Sequence, residues 1–136
     1  MKIDGGCHCG AIRFEAEVAA DRITICHCTD CQNLTGTAYR ATVAAPGESF
    51  TLQGAPTIYV KTGTSGAKRE HAFCPTCGAP IYSTDPETHA VYSLRIGTIR
   101  QRHDLGRPRG QGWSRSALAW SADLTGIPKH PTQPQY

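Results

Sequence analysis

Seven cysteines in three tight clusters are the residues of this chain best suited to chemistry. They stand in Cys7-His8-Cys9-Gly10, in Cys26-His27-Cys28-Thr29-Asp30-Cys31 and in Cys74-Pro75-Thr76-Cys77-Gly78. Zinc prefers a tetrahedron of ligands with Zn–S distances of about 2.3 Å, and a tight turn carrying two nearby thiolates supplies half of that shell. Gly10 and Gly78 directly follow their cysteine pairs, where glycine lets the chain take a positive φ. Cys7, Cys9, Cys74 and Cys77 are therefore expected to close one four-thiolate structural zinc site. A thioredoxin-like redox role for Cys74 and Cys77 would require a βαβ context, which is missing, and would leave the first pair without a partner.

The middle cluster differs because Cys26, Cys28 and Cys31 offer three thiolates and no obvious fourth. Three protein ligands with an open position are the arrangement of reactive zinc. The same residues are also compatible with a second closed zinc site completed by His27 or another histidine, with a reduced thiol cluster, and with iron–sulfur ligation. His8 and His27 each lie between two cysteines, where alternation points the imidazole away from the metal. Each is a candidate neighbour of the metal ligands or proton carrier, or else a turn residue.

The elements that must position these clusters are short. Ile12, Phe14, Ala16 and Val18 alternate with Arg13, Glu15 and Glu17, which predicts a half-buried strand over Ala11–Val18. Further β-like runs lie at Ile23–Cys26, Tyr39–Val43, Phe50–Leu52, Thr57–Lys61, His71–Phe73, Ile81–Ser83 and Val91–Ile96. Turn formers such as Pro46-Gly47, Gly54-Ala55-Pro56 and Gly63-Thr64-Ser65-Gly66 separate them. The pattern predicts an all-β sandwich or layered sheet, with one helical turn near Asp30–Leu34. Arg100–Gly110 reads as an arginine-rich loop, followed by an apolar patch with Trp113, Leu118 and Trp120. A Pro-containing tail over 123–136 is expected to be extended and poorly packed.

A length of 136 residues suits one domain, expected over 1–122, and leaves no room for a second core. With 14 Gly and 9 Pro against 18% charged residues, the composition favours turns and strands over a helical bundle. The net charge of +3 does not by itself announce a nucleic-acid binder. No apolar stretch approaches the length of a membrane span, and the first residues lack a signal-peptide pattern, so a cytoplasmic protein is expected. In that reducing compartment seven thiols are better explained by metal than by disulfides, and an odd number cannot pair completely.

At Gly5-Gly6-Cys7-His8-Cys9-Gly10-Ala11-Ile12-Arg13-Phe14, Cys26-His27-Cys28-Thr29-Asp30-Cys31, Thr35-Gly36 and Phe73-Cys74-Pro75-Thr76-Cys77-Gly78 the chain resembles the glutathione-dependent formaldehyde-activating enzymes, a family that also contains centromere protein V. The resemblance runs from about Gly5 to Trp120. It implies a mainly β fold of layered, coiled antiparallel sheets. It also implies two zinc ions per chain, a structural one on Cys7, Cys9, Cys74 and Cys77 and a functional one on Cys26, Cys28 and Cys31. The family commonly carries a His-x-Trp element followed by a lysine and a second tryptophan. Trp113 and Trp120 keep that spacing, with Gln111 in place of the histidine and Ala117 in place of the lysine.

The activity implied is a carbon–sulfur lyase reaction in which glutathione, or another small thiol, adds to formaldehyde or another small carbonyl. Cys26, Cys28 and Cys31 would hold the reactive metal, and His27 or bulk water would carry the proton. Carboxylates on the thiol call for fixed cations. Candidates are Arg95, Arg100, Arg102, Arg107, Arg109 and Arg115, with Lys68 and Arg69 before the third cluster. Two other classes fit the same residues: a zinc-scaffolded binding module that uses the arginine-rich segment, and a thiol or metal sensor. The basic segment lacks interleaved stacking aromatics, which disfavours nucleic acid as the partner. The expected assembly is a monomer or homodimer.

Overall fold

Ile12, Phe14, Ala16 and Val18 are buried at 1%, 2%, 5% and 4% exposure, so the alternation in this stretch marks the inner face of a strand as expected. A computed structural model of the protein describes residues 1–135; Tyr136, the end of the expected tail, lies outside the described residues. In chain order the elements are β1 (Lys2–Gly6), β2 (Arg13–Glu17), β3 (Ile23–Cys26), α1 (Thr29–Thr35), β4 (Arg40–Pro46), β5 (Thr51–Gln53), β6 (Thr57–Thr62), β7 (Lys68–Phe73), β8 (Pro80–Thr84), β9 (Val91–Arg95) and β10 (Pro108–Gly112). They form a three-stranded sheet in the order β1-β2-β5 and a seven-stranded sheet in the order β10-β3-β4-β9-β8-β7-β6. The protein is mainly β. All strand pairs are antiparallel except β3 and β10, which run parallel.

The core lies between the two sheets. Ile3, Phe14 and Ala16 from the small sheet meet Val43, Ala45, Ile81 and Leu94 from the large one, and Ile12, Ile99 and Leu105 seal the ends. Phe50 stacks on Tyr92 with centroids 4.2 Å apart and meets Tyr82 edge-on at 5.4 Å, so one aromatic group closes this layer. Edge-to-face and offset contacts of this kind add to what area burial alone contributes.

Two strands have no clear signal in the sequence. β1 contains Gly5 and Gly6, residues depleted in strands. It is nevertheless held along its whole length by β2, with Lys2 opposite Glu17 and Gly6 opposite Arg13. A Cβ on Gly5 would collide with the Thr98 carbonyl oxygen and the Phe14 ring, so the glycine is there for close approach. β10 falls partly in the expected Arg100–Gly110 loop. It is the edge partner of β3, and Gly112 stands opposite Cys26. In the apolar patch, Trp113 and Trp120 are 56% and 57% exposed and sit on the rim, outside the core. After Ala122 the described residues form no strand or helix.

Candidate metal centres

The outer cysteines sit on two hairpin-like knuckles. Cys7 leaves β1 and pairs back to Ile12 through two hydrogen bonds. Its own N–H reaches the Ile12 carbonyl at 3.1 Å, and the Ile12 N–H donates to its Sγ at 3.2 Å. Cys74 leaves β7 in the same way, its N–H reaching the Ala79 carbonyl at 3.0 Å. Gly10 and Gly78 take φ of +86° and +77°, the left-handed turn expected of them. The four sulfurs lie within 4.8 Å of one another. Cys7 and Cys9 are 3.6 Å apart, and Cys9 and Cys74 are 3.7 Å apart. A tetrahedron with metal–sulfur bonds of about 2.3 Å has edges of about 3.8 Å, so this donor set fits a zinc-sized ion without rearrangement.

Backbone amides prepare the same cluster for a cation. N–H groups of Ala79 and Cys9 hold the Cys77 thiol down to about 6. At Cys9 the Ala11 amide pulls downward, but the sulfurs of Cys7, Cys74 and Cys77 together push the thiol up to about 11. Four sulfurs in van der Waals contact cannot all ionise unless a positive ion sits among them.

The middle cluster is built across a strand end and a helix start. Cys26 ends β3, Cys28 caps α1, and Cys31 lies in its first turn. The Cys28 Sγ accepts the Cys31 N–H at 3.3 Å, the role a serine or asparagine side chain usually plays at a helix N-terminus. Gly36 closes α1 at φ +69° and donates to the Gln32 and Asn33 carbonyls. The three sulfurs lie within 4.8 Å of one another, and no fourth histidine, cysteine or carboxylate among the described residues joins them. Burial, then Cys28, pushes the Cys31 thiol up to about 12. Burial also acts on Cys28, but the Cys31 amide, the neighbouring thiols and the Lys61 charge outweigh it and lower the Cys28 thiol. Lys61 reaches over from β6 and pairs with Asp30 at 2.8 Å.

His27 is 3% exposed and stays out of both clusters. Its Nε2 lies 2.7 Å from Gln111 Oε1, and its ring meets Tyr39 edge-on at 5.4 Å. With the amide oxygen accepting, Nε2 carries the proton and Nδ1 presents a buried lone pair that has no partner. Gln32 braces the same loop, donating to the His27 carbonyl at 2.8 Å and the Ser116 carbonyl at 2.9 Å. His8 is exposed.

The family model for the glutathione-dependent formaldehyde-activating enzymes matches residues 2–116. The chain belongs to this family. A crystal structure of a Rhodobacter sphaeroides protein from a structural genomics programme superposes with a TM-score of 0.59 at 23% sequence identity. It covers 79% of this chain and 98% of that one, and establishes the likeness of fold. In this chain of a family described as formaldehyde-activating and glutathione-dependent, two cysteine clusters among the described residues could hold metal.

The arginines singled out in the sequence separate sharply in space. Arg100 is spent on Asp4 at 2.6 Å, Arg102 donates to the Ile99 carbonyl at 3.1 Å, and Arg115 lies 5.0 Å above the Trp113 ring. Arg107 and Arg109 are exposed, as is Lys68. Arg95 alone among these arginines is buried, at 6% exposure. Sequence reasoning missed Arg40, Lys61 and His71, which the fold gathers beside the middle cluster. Arg40 stands opposite Cys26 across β3 and β4, a neighbour set by strand register and invisible in chain order.

Proposed function

We propose that the protein is a zinc-dependent carbon–sulfur bond-forming enzyme that adds glutathione, or another small thiol, to formaldehyde or another small carbonyl compound. The observation that carries this reading is the three-sulfur cluster of Cys26, Cys28 and Cys31, with no fourth side-chain ligand among the described residues. A zinc ion there, with three thiolates, would carry a net charge of about −1 by formal counting and supply a soft open position suited to sulfur more than to water activation.

The chain's own residues do the rest. β3 and α1 fix the three sulfurs to one side of the loop, and Cys28 is locked by the helix start that it caps. Lys61, held by Asp30, adds positive charge beside Cys28 and Cys31 and so favours an incoming thiol as its anion. His27 offers the unpartnered Nδ1 lone pair as a proton acceptor, with Gln111 fixing its tautomer. The outer four cysteines act at a distance, holding the small sheet to the large one. All seven cysteines are free thiols, which suits a reducing cytoplasm. Among the described residues no helix is long and apolar enough to cross a membrane.

Formaldehyde consumption with added thiol tests the reading. Loss should be accelerated by the zinc-replete wild type, should require the thiol, and should fall to background with Cys28→Ser. Thiol-independent consumption, or full activity in that variant, would contradict it. The arginine-rich segment gives the binding-module reading little support, because Arg100, Arg102 and Arg115 are engaged within the chain.

A further inference from the structure

Among the described residues four buried side-chain nitrogens lack a hydrogen-bond partner, and three of them belong to Arg40 and Arg95. Both arginines line one cavity of about 390 Å³, a size in the range of small-molecule sites. Its walls include Leu34 and Thr35 of α1, Tyr59 of β6 and His71 of β7. No cysteine lines the cavity, but it neighbours the middle cluster: Thr35 donates to the Cys31 carbonyl at 2.6 Å, and Arg40 stands opposite Cys26 across β3 and β4.

The charge around the cavity is unbalanced. None of the three ion pairs among the described residues involves Arg40 or Arg95. Arg95 is 6% exposed, and its one side-chain partner is a histidine: Nη2 donates to His71 Nδ1 at 3.2 Å. A guanidinium cannot accept, so Nδ1 must be unprotonated and His71 neutral, with its own proton on Nε2. His71 thus contributes no charge, and burial followed by Arg40 and Arg95 holds it down to about 4. Arg40, Lys61, Arg69 and Arg95 all act on it. Asp30 answers Lys61, and Glu70 turns to His89. With Asp30 and Glu70 each counted as one negative charge, and a metal held by three thiolates as about −1 by formal counting, about one positive charge stays unanswered. Arg95, the buried one of these cations, is costly to hold there beside the half-buried Arg40 unless an anion meets them.

We propose that Arg40, Arg95 and His71 form a carboxylate seat beside the Cys26/Cys28/Cys31 centre, so that one of the two reactants is an anion whose carboxylate is gripped there. The two guanidiniums supply planar forks that match a carboxylate, and His71 holds the Arg95 fork in place. The word reactant rests on the proposed function; the seat itself rests on the unpartnered cations. The carboxylate belongs either to the thiol or to the carbonyl compound.

Calorimetric titration of the zinc-replete full chain with 3-mercaptopropionate, 2-mercaptoethanol and propionate tests the seat. The anionic thiol is expected to bind on the order of tenfold tighter than the neutral one. Arg40→Gln should erase most of that preference while zinc content stays the same. Arg95→Lys, which keeps the buried charge but loses the fork, should weaken it too. Equal affinity of the two thiols for wild type, or an undiminished preference in both variants, would overturn the proposal. So would variants that lose zinc while the preference persists, since the arginines would then be counter-ions of the metal centre. Turnover of formaldehyde with 3-mercaptopropionate against glyoxylate with 2-mercaptoethanol then places the carboxylate: a higher kcat/KM in the first pair assigns it to the thiol, in the second to the carbonyl. If neither pair turns over but propionate still binds wild type and not Arg40→Gln, the seat stands and the proposed function fails.

Discussion

The Gln111 side chain is a single acceptor with a specific task, since it holds the Nε2 proton of a histidine that is 3% exposed. Gln111→Leu removes that acceptor and leaves the imidazole N–H in a largely dry place. A loss of about 1–2 kcal/mol is expected in urea unfolding, with Gln111→Glu recovering part of it. His71 gives a pH signature at the same scale. Burial and neighbouring arginines lower its pKa to about 4, so the folded protein binds fewer protons there than the unfolded chain, whose histidine titrates near about 6.5. Its contribution to stability is complete above about 6.5 and is lost as the pH falls toward 4. His71→Gln should flatten that part of the pH–stability curve relative to wild type, and identical slopes would contradict the assignment. At this scale the two cysteine groupings were legible in the sequence because metal shells impose short spacings. Arg40, Lys61 and His71 were not, because what joins them to Cys31 is strand pairing between segments far apart in the chain.

Element by element, legibility followed side-chain pattern. β2 was plain from its alternation of Phe14 and Ala16 with charged residues, and α1 from the short run before Gly36. β1 and β10 were hidden because their glycines lack the side chains that pattern reading relies on. Their strand character comes from partners: β2 for β1, and β3 for β10. Gly5 shows how closely β1 is fitted. Gly5→Ala would force its Cβ against the Thr98 carbonyl and the Phe14 ring, and is expected to cost about 1–3 kcal/mol as β1 shifts off β2. Chemical denaturation would measure this, and a neutral substitution would contradict the close approach. β10 matters for the site because it brings Gln111 to His27, while the His27 N–H donates to the Gly112 carbonyl at 3.0 Å.

Across the whole molecule the proposed function assigns structure to one cysteine cluster and reactivity to the other. Cys7 and Cys9 follow a strand of the small sheet, and Cys74 and Cys77 follow a strand of the large one, so an ion held among them would join the two layers. Cys77→Ser should lose that ion and much of the cooperativity of thermal unfolding, since metal binding and folding are coupled. Cys28→Ser should retain the fold, because its cluster lies on the single β3–α1 connection. Zinc stoichiometry of wild type and Cys28→Ser, measured together with far-UV circular dichroism, tests this division most directly. The expected result is about two ions per chain falling to about one with an unchanged spectrum. An unchanged count, or complete loss of both ions, would contradict it.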